Sequence, residues 1–176
     1  FGGIWQGDNA SRWSHLKMNV KMMTSLNMCG FLYTGADVGG FGADATEDLV
    51  LRWLEFAVFT PLLRNHSARG TRRQEVYCFS HVEKFADVIG VRYQLLPYIY
   101  SEYMKAALRN TMMFNPLAFL YGEDALARQV EDQLFIGENV MVAPVCEQNV
   151  SGRVVYFPER MKQLIFKNGV VVEGKV

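Results

Sequence analysis

Apolar residues in the N-terminal part of the chain recur at two different spacings. A three- and four-residue spacing predicts a first helix that ends near Asn27 and a second that opens with a capping box of Asp44 and Glu47. Two apolar runs too short for helices, residues 29–33 and 58–63, predict buried strands. The helical spacings are set by Trp13, Leu16, Val20 and Met23, and by Leu49, Trp53, Phe56 and Ala57. With the short apolar segment at the start of the chain, the order strand, helix, strand, helix, strand predicts parallel βα units.

The pattern changes in the second half of the chain. Ser80 and Glu83 form a second capping box before a long amphipathic helix, which we expect to close near Asn110 and to be kinked or divided at Pro97. From about residue 113 the apolar pieces are short and separated by turns, which is typical of antiparallel β structure. These pieces lie at residues 116–121, 140–145, 154–157 and 164–166. We therefore expect a domain boundary near residue 113.

Both ends of the chain predict that it comes from inside a longer protein. The first residues have neither an initiator methionine nor the basic segment of a signal peptide. At the other end, Lys167-Asn168-Gly169-Val170 predicts a hairpin turn, so the second unit is expected to break off at Val176 soon after its returning strand begins.

Composition and charge narrow the classes of partner. Eighteen basic and eighteen acidic side chains cancel, which argues against nucleic acid and anionic membrane surfaces. The sequence has no apolar run long enough for a transmembrane helix. Cys29, Cys78 and Cys146 are too few and too scattered for a disulfide framework or a zinc cluster. We expect them to be buried, reduced core residues of a cytoplasmic protein.

Residues capable of chemistry follow each predicted strand. Asp8 lies between a short apolar segment and a helix, at the carboxyl end of a strand, where α/β sheets and barrels place their active sites. The alternative is that Asp8 or Ser11 only caps the helix. Asp37 lies in a glycine-rich loop, residues 35–42, and could serve only to form a turn there. A third group of polar residues follows residues 58–63: Arg64, Asn65 and His66.

Five segments, in order along the chain, resemble signatures of glycoside hydrolase family 31. They are Trp5-Gln6-Gly7-Asp8-Asn9, Gly35-Ala36-Asp37-Val38-Gly39-Gly40-Phe41, Pro61-Leu62-Leu63-Arg64-Asn65-His66-Ser67, Tyr93-Gln94-Leu95-Leu96-Pro97-Tyr98-Ile99-Tyr100 and Met141-Val142-Ala143-Pro144-Val145. The resemblance implies an α/β fold: residues 1–112 as a partial (β/α)8 TIM barrel, about its last three βα units, and residues 113–176 as the beginning of an antiparallel β-sandwich domain.

The same resemblance implies a retaining glycosidase, an α-glucosidase acting on small α-linked glucosides. In this family the Asp of the Trp-x-Gly-Asp motif, here Asp8, is the catalytic acid/base. The family's nucleophile is an Asp in a Trp-x-Asp-Met-Asn-Glu type strand, and no such segment occurs here. The family's substrate-binding Asp and Arg residues that precede the Trp-x-Gly-Asp motif are also absent. The chain is therefore expected to be a fragment whose partner is the missing N-terminal half of the barrel.

The resemblance also implies roles for the neighbours of Asp8. Trp5 and Phe41 would wall the sugar pocket and His66 would hydrogen-bond sugar hydroxyls, while Asp37 and Arg64 would fix other side chains through charge-assisted hydrogen bonds. Without the resemblance, core packing would explain both aromatic residues, and a structural role would explain the histidine.

Other functions stay open at this stage. The chain could be a non-catalytic piece that at most binds sugar, or its parent could be an α-xylosidase, a transglycosylase or an α-glucan lyase. A metal site of Asp8, Asp37 and His66 is a third hypothesis, although the resemblance requires no metal and no cofactor. The basic loop 68–73 could bind phosphate or could simply be solvated.

Overall fold

The N-terminal part of the molecule is a parallel sheet with its connecting helices. The computed structural model describes residues 2–167 and 170–174. The sheet order is β1 (Ile4–Trp5), β2 (Thr34–Asp37), β3 (Leu62–Arg64), and both pairings are parallel. The connections are α1 (Trp13–Met28) and α2 (Glu47–Ala57), and α3 (Val82–Arg109) follows a 3-10 turn at Val76–Cys78. The predicted parallel βα units are confirmed.

Strand β2 does not lie where the apolar run 29–33 predicted it. That run begins as the end of α1: Gly30, at φ +86°, donates to the Asn27 carbonyl and Phe31 donates to the Leu26 carbonyl, which together form a Schellman motif. The strand instead uses Thr34–Asp37, the first part of the predicted glycine-rich loop. Small residues are required there, because a Cβ at Gly35 would lie 1.9 Å from the Leu62 carbonyl oxygen.

The starts of α2 and β3 also differ from the prediction. Thr46, not Asp44, caps α2, since its Oγ1 accepts from the Leu49 amide at 3.3 Å. Asp44 instead accepts from the Arg72 amide at 2.6 Å. The strand predicted over residues 58–63 is shorter and later, because the residues after α2 form a turn and β3 covers only Leu62–Arg64.

Helix α3 confirms the long amphipathic prediction, with two changes. It runs unbroken through Pro97 and ends at Arg109, and the next residue, Asn110, adopts the left-handed φ of 53°. The predicted box of Ser80 and Glu83 does not form, because α3 begins at Val82 without a side-chain cap. Glu47 from the start of α2 accepts from the Ser80 and His81 amides at 3.3 and 2.8 Å.

The C-terminal part is antiparallel, as predicted. Strands β4 (Phe114–Pro116), β5 (Leu134–Ile136) and β6 (Val140–Val142) form one sheet, and β7 (Gln163–Lys167) pairs with β8 (Val170–Gly174). The short helix α4 (Leu117–Leu120) occupies most of the apolar piece at 116–121, and 154–157 forms no strand. The turn expected at Lys167–Val170 includes Asn168 and Gly169, which lie outside the described residues.

One hydrophobic core joins the two parts. Fully buried side chains from α1, α2 and α3 belong to the same cluster as residues of the antiparallel sheet: Leu16, Met23, Trp53, Phe85, Phe114, Leu134 and Ile136. Burying each such side chain stabilises the fold by about 1.5–3 kcal/mol. Of the cysteines, only Cys146 is buried, and this burial raises the pKa of its thiol to about 11; Cys29 and Cys78 are exposed, against the prediction. No helix within the described ranges is long and apolar enough to cross a membrane.

Candidate active site

The carboxyl ends of three parallel strands meet at one edge of the N-terminal sheet. Trp5 pairs with Gly35, and Asp37 pairs with Arg64, so the loops that follow these strands leave the sheet side by side. Asp8, Phe41 and His66 each follow one of these strands. The structure therefore brings the sequence-predicted residues to a single edge, the position where α/β folds place their chemistry.

Charged and aromatic side chains share one face of this sheet. In the strand register, Trp5, Gly35 and Leu62 lie on the same face as Asp37 and Arg64. Arg64 Nε donates to Asp37 Oδ1, and the guanidinium carbon lies 5.6 Å from the centre of the Trp5 ring. This distance is within cation–π range. Trp5 is 46% exposed in this chain.

Asp37 is a buried member of this group. Its side chain is 0% exposed, and its Oδ2 has no partner among the described residues. Because a buried carboxylate is costly unless it is paired, Arg64 is the group that makes this position tolerable. The carboxylate acts in an ion pair rather than as a simple turn former, although the Asp37 carbonyl does accept from the Gly40 amide at 3.0 Å.

Backbone hydrogen bonds tie the three loops to one another. The Asn9 carbonyl, directly after Asp8, accepts from the amides of Phe41 and Gly42 at 2.6 and 3.1 Å. The Phe41 carbonyl in turn accepts from the Ala68 amide at 2.9 Å. The rings of Phe41 and His66 lie 5.2 Å apart with an interplanar angle of 34°. Two of the predicted pocket residues are therefore neighbours in space.

The Asp8 carboxylate is exposed, and within the described part of the chain it forms no hydrogen bond or ion pair. The capping alternative is wrong for both candidates, because α1 begins after Arg12 without a side-chain cap. Ser11 Oγ instead donates to the Ala43 carbonyl at 2.8 Å, and the Ala10 amide donates to His15 Nδ1 at 3.1 Å. The carboxylate is therefore available to a ligand above the strand ends.

Buried amide side chains support the loops, a role that no pattern in the sequence predicts. Asn9 donates to the Gln6 carbonyl at 3.1 Å and accepts from Asn19 Nδ2 at 3.3 Å. Gln74, which is 2% exposed, donates to the Val38 and Gly40 carbonyls at 3.0 and 2.9 Å. Asn9 could have been found from the sequence, because it lies inside the motif that contains Asp8. Gln74 could not, because only the folded chain shows that it is buried.

The geometry supports neither the metal-site hypothesis nor phosphate binding by the basic loop. Within residues 2–167 and 170–174, no three His, Cys, Asp or Glu side chains lie close enough together to hold a metal ion, so Asp8, Asp37 and His66 do not form such a group. In the basic loop, Arg69 and Arg73 are exposed, and Arg72 donates to the Ala45 carbonyl at 3.3 Å. A solvated loop accounts for these positions.

A groove of about 600 Å³ lies away from these residues, between β3 and α3. Leu63 and Asn65, which line it, alternate with Arg64 along the chain and face away from Trp5. Arg92 of α3 lines the same groove and donates to the Val58 and Pro61 carbonyls at 2.8 and 3.2 Å. Its mainly apolar lining contrasts with the polar edge that carries Asp8, so the groove is not the candidate active site.

Comparison with known proteins identifies the same family over both halves of the chain. The model of the glycosyl hydrolases family 31 TIM-barrel domain matches residues 1–102, and that of the glycosyl hydrolase family 31 C-terminal domain matches residues 110–176. Alpha-glucosidase 2 of Bacillus thermoamyloliquefaciens is 36% identical over 99% of this chain, which corresponds to 22% of that relative.

Solved structures agree with this similarity. A glucosidase II alpha subunit, in its Glc1Man2-bound form, superposes with a TM-score of 0.85 at 31% identity. The superposition includes 90% of this chain and 17% of the glucosidase II chain. A family 31 alpha-xylosidase from a soil metagenome, complexed with xylose, superposes with a TM-score of 0.81 at 24% identity. This superposition includes 98% of this chain and 29% of the xylosidase chain. The second likeness shows the fold alone. The chain spans about a fifth of the length of the curated relatives it matches.

Proposed function

The chain belongs to glycoside hydrolase family 31, and we propose that it is part of a longer retaining α-glucosidase that removes terminal α-linked glucose from small oligosaccharides. The observation that carries this proposal is the strand-end edge, where the Asp8 carboxylate, which no described residue engages, lies in a loop hydrogen-bonded to the Phe41 loop, and the Phe41 ring meets the His66 ring of the next loop. The names of the relatives, which are mostly α-glucosidases, support the choice of sugar.

The division of the chain follows from the same proposal. Residues 1–112 would form about the last three βα units of a (β/α)8 barrel, and residues 113–176 would begin a β-sandwich domain. Within the described residues β1 and β3 each pair only with β2, so both outer edges of the parallel sheet are open. Open edges of a parallel sheet need further strands, which the N-terminal half of the barrel would supply.

Asp8 would carry the proton in both steps of the reaction. Retaining hydrolysis needs two carboxyl groups about 5 Å apart, one that attacks the anomeric carbon and one that protonates the departing oxygen. Asp8 would donate its proton to the leaving oxygen while a carboxylate of the missing half forms the glycosyl ester. It would then take a proton from the water that cleaves this ester, so that one residue serves as acid and afterwards as base.

The neighbouring side chains would shape the sugar subsite. Trp5 offers an exposed ring, which the Asp37–Arg64 pair holds from one side. Phe41 would add a second apolar wall, and the exposed His66 would hydrogen-bond sugar hydroxyls. For the compartment we propose the cytoplasm of a bacterium, because the three cysteines are free thiols and the Bacillus enzyme is similar over nearly the whole chain.

Split-protein complementation tests this function. The purified chain is assayed on an aryl α-glucoside alone and after mixing with the N-terminal half of the same protein, and an aryl α-xyloside is used in parallel. We expect glucoside hydrolysis only after mixing. Activity of the chain alone would place a nucleophile within it and contradict the proposed division. Preference for the xyloside would replace α-glucosidase by α-xylosidase.

A further inference from the structure

Gln74 is a buried amide between two of the active-site loops. Its carboxamide Nε2 is within hydrogen-bond distance of three acceptors: the Val38 carbonyl at 3.0 Å, the Gly40 carbonyl at 2.9 Å and Asn65 Oδ1 at 3.2 Å. Asn65 returns a bond, since its Nδ2 donates to the Gln74 carbonyl at 2.6 Å. This group of contacts, the Gln74 clamp, connects the loop after β2 with the loop after β3.

The partners of the clamp require N–H donors. All three atoms near Nε2 are acceptors, and the carboxamide supplies two N–H groups to them, while its buried Oε1 has no partner among the described residues. A carboxylate of the same length would place oxygen against oxygen at each contact. The loop also approaches Gln74 closely, because a Cβ at Gly39 would lie 3.4 Å from Nε2 and 2.8 Å from a Val50 methyl group. The clamp therefore holds a segment that has little room to move.

The clamped segments lead directly to the candidate pocket. Gly40 precedes Phe41, and Asn65 precedes His66, so Gln74 acts one residue away from each member of the ring pair. We propose that Gln74 is a positioning residue that sets the spacing of Phe41 and His66 at the sugar subsite. This inference rests on the proposed function. Gln74 itself does not touch the sugar and is not a catalytic residue.

Gln133 offers a matched control within the same chain. It is 4% exposed, and its side chain also clamps backbone: Nε2 donates to the Tyr156 carbonyl at 2.8 Å, and Oε1 accepts from the Tyr156 amide at 2.8 Å. It does so in the antiparallel part, where none of the predicted site residues lies. Loss of Gln133 therefore reports the cost of removing a buried amide clamp without altering the pocket.

The test compares Gln74→Met and Gln133→Met in the complete protein, because methionine keeps the volume of glutamine and lacks its donors. With an aryl α-glucoside we expect Gln74→Met to raise KM and the inhibition constant for glucose by about tenfold, since small displacements of positioning groups weaken binding strongly. We expect kcat to change by less than KM. Gln133→Met should lower the melting temperature and leave KM unchanged. Equal KM values for the two variants would overturn the inference.

A second variant covers the case in which Gln74→Met does not fold. Asn65 is exposed, so Asn65→Ala removes one side of the clamp without creating a buried cavity. We expect a folded protein with a KM raised about twofold to threefold and a parallel change for glucose. An unchanged KM would overturn the positioning role. Absence of glucoside hydrolysis by the wild-type protein would instead refute the proposed function, so the two failures are distinguishable.

Discussion

Whether a side chain is available to bind a ligand depends on whether neighbouring residues already bind it. Asp8 precedes a helix, yet its carboxylate is exposed and no described residue engages it. Nearby groups satisfy one another instead: His15 accepts from the Ala10 amide, and Ser11 binds the Ala43 carbonyl. A carboxylate that stabilises nothing nearby can be used for chemistry without loss of local structure.

Replacement of Asp8 therefore gives a specific kinetic expectation. In the complete protein, Asp8→Asn should leave glucose binding nearly unchanged and lower kcat by about 10²–10⁴-fold on disaccharides, whose leaving groups need a proton. Aryl glucosides with activated leaving groups should lose less in the first step. The measurement is kcat on both substrate types, with Asp87→Asn on the exposed side of α3 as the control. Equal losses on the two substrates would contradict the acid role.

The Asp37–Arg64 pair leads to a prediction about stability. Arg64→Met leaves the Asp37 carboxylate buried with neither oxygen partnered by a described residue. We expect a loss of about 2 kcal/mol, less than for a fully enclosed pair because the Arg64 side chain is 40% exposed. Thermal unfolding measures it, with Lys21→Met as the control, since both side chains of the Lys21–Glu131 ion pair are exposed. A loss no larger than in the control would refute this account.

At the scale of the element, β2 is built from small residues because it lies tightly against β3. Apolar periodicity predicted the strand a few residues too early, since Phe31 and Tyr33 are exposed connecting residues. Helix α1 was predicted correctly because its spacing is a local property of one segment. The capping-box pattern predicts Asp44 as the cap of α2 because Glu47 lies three residues on, but the Arg72 amide, distant in sequence, engages Asp44, and Thr46 caps the helix.

The tight packing of β2 can be tested with one methyl group. Gly35→Ala places a Cβ 1.9 Å from the Leu62 carbonyl, which the paired strands can relieve only by moving apart. We expect destabilisation of about 3 kcal/mol or more, or loss of soluble protein. Gly42→Ala is the matched control, because no atom lies within 4 Å of its added Cβ. Melting temperatures and soluble yields are compared, and equal values for both variants would rule out the close approach.

At the scale of the whole molecule, Asn27 joins the parallel and antiparallel parts. Its Oδ1 accepts from the amides of Met113 and Phe114, both at 3.0 Å, and its Nδ2 donates to the Phe31 carbonyl at 3.1 Å. The end of α1 is thereby fastened to the start of β4. The two parts also share one hydrophobic core. The junction at Asn27 therefore contributes to the stability of both parts and is not a flexible linker.

Removal of the Asn27 side chain should weaken both parts together. Asn27→Ala leaves two amides of fully buried residues without acceptors, which we expect to cost about 3 kcal/mol. Two measurements test this: the melting temperature, and the sensitivity of sites on either side of residue 113 to a protease. The control is Asn139→Ala, because Asn139 is exposed. Cleavage that increases on one side only would contradict a shared core.

Sequence alone determined the features that depend on local spacing and on motifs. It identified α1 and α3, the parallel order of the first βα units, the family, and Asp8 with its neighbours at the strand ends. Tertiary structure decided where β2 begins, which residue caps α2, that Trp5 is exposed, and that Gln74 clamps two loops. These features depend on contacts between residues far apart in the chain, such as Gly35 with Leu62 or Gln74 with Val38, and no local pattern encodes such contacts.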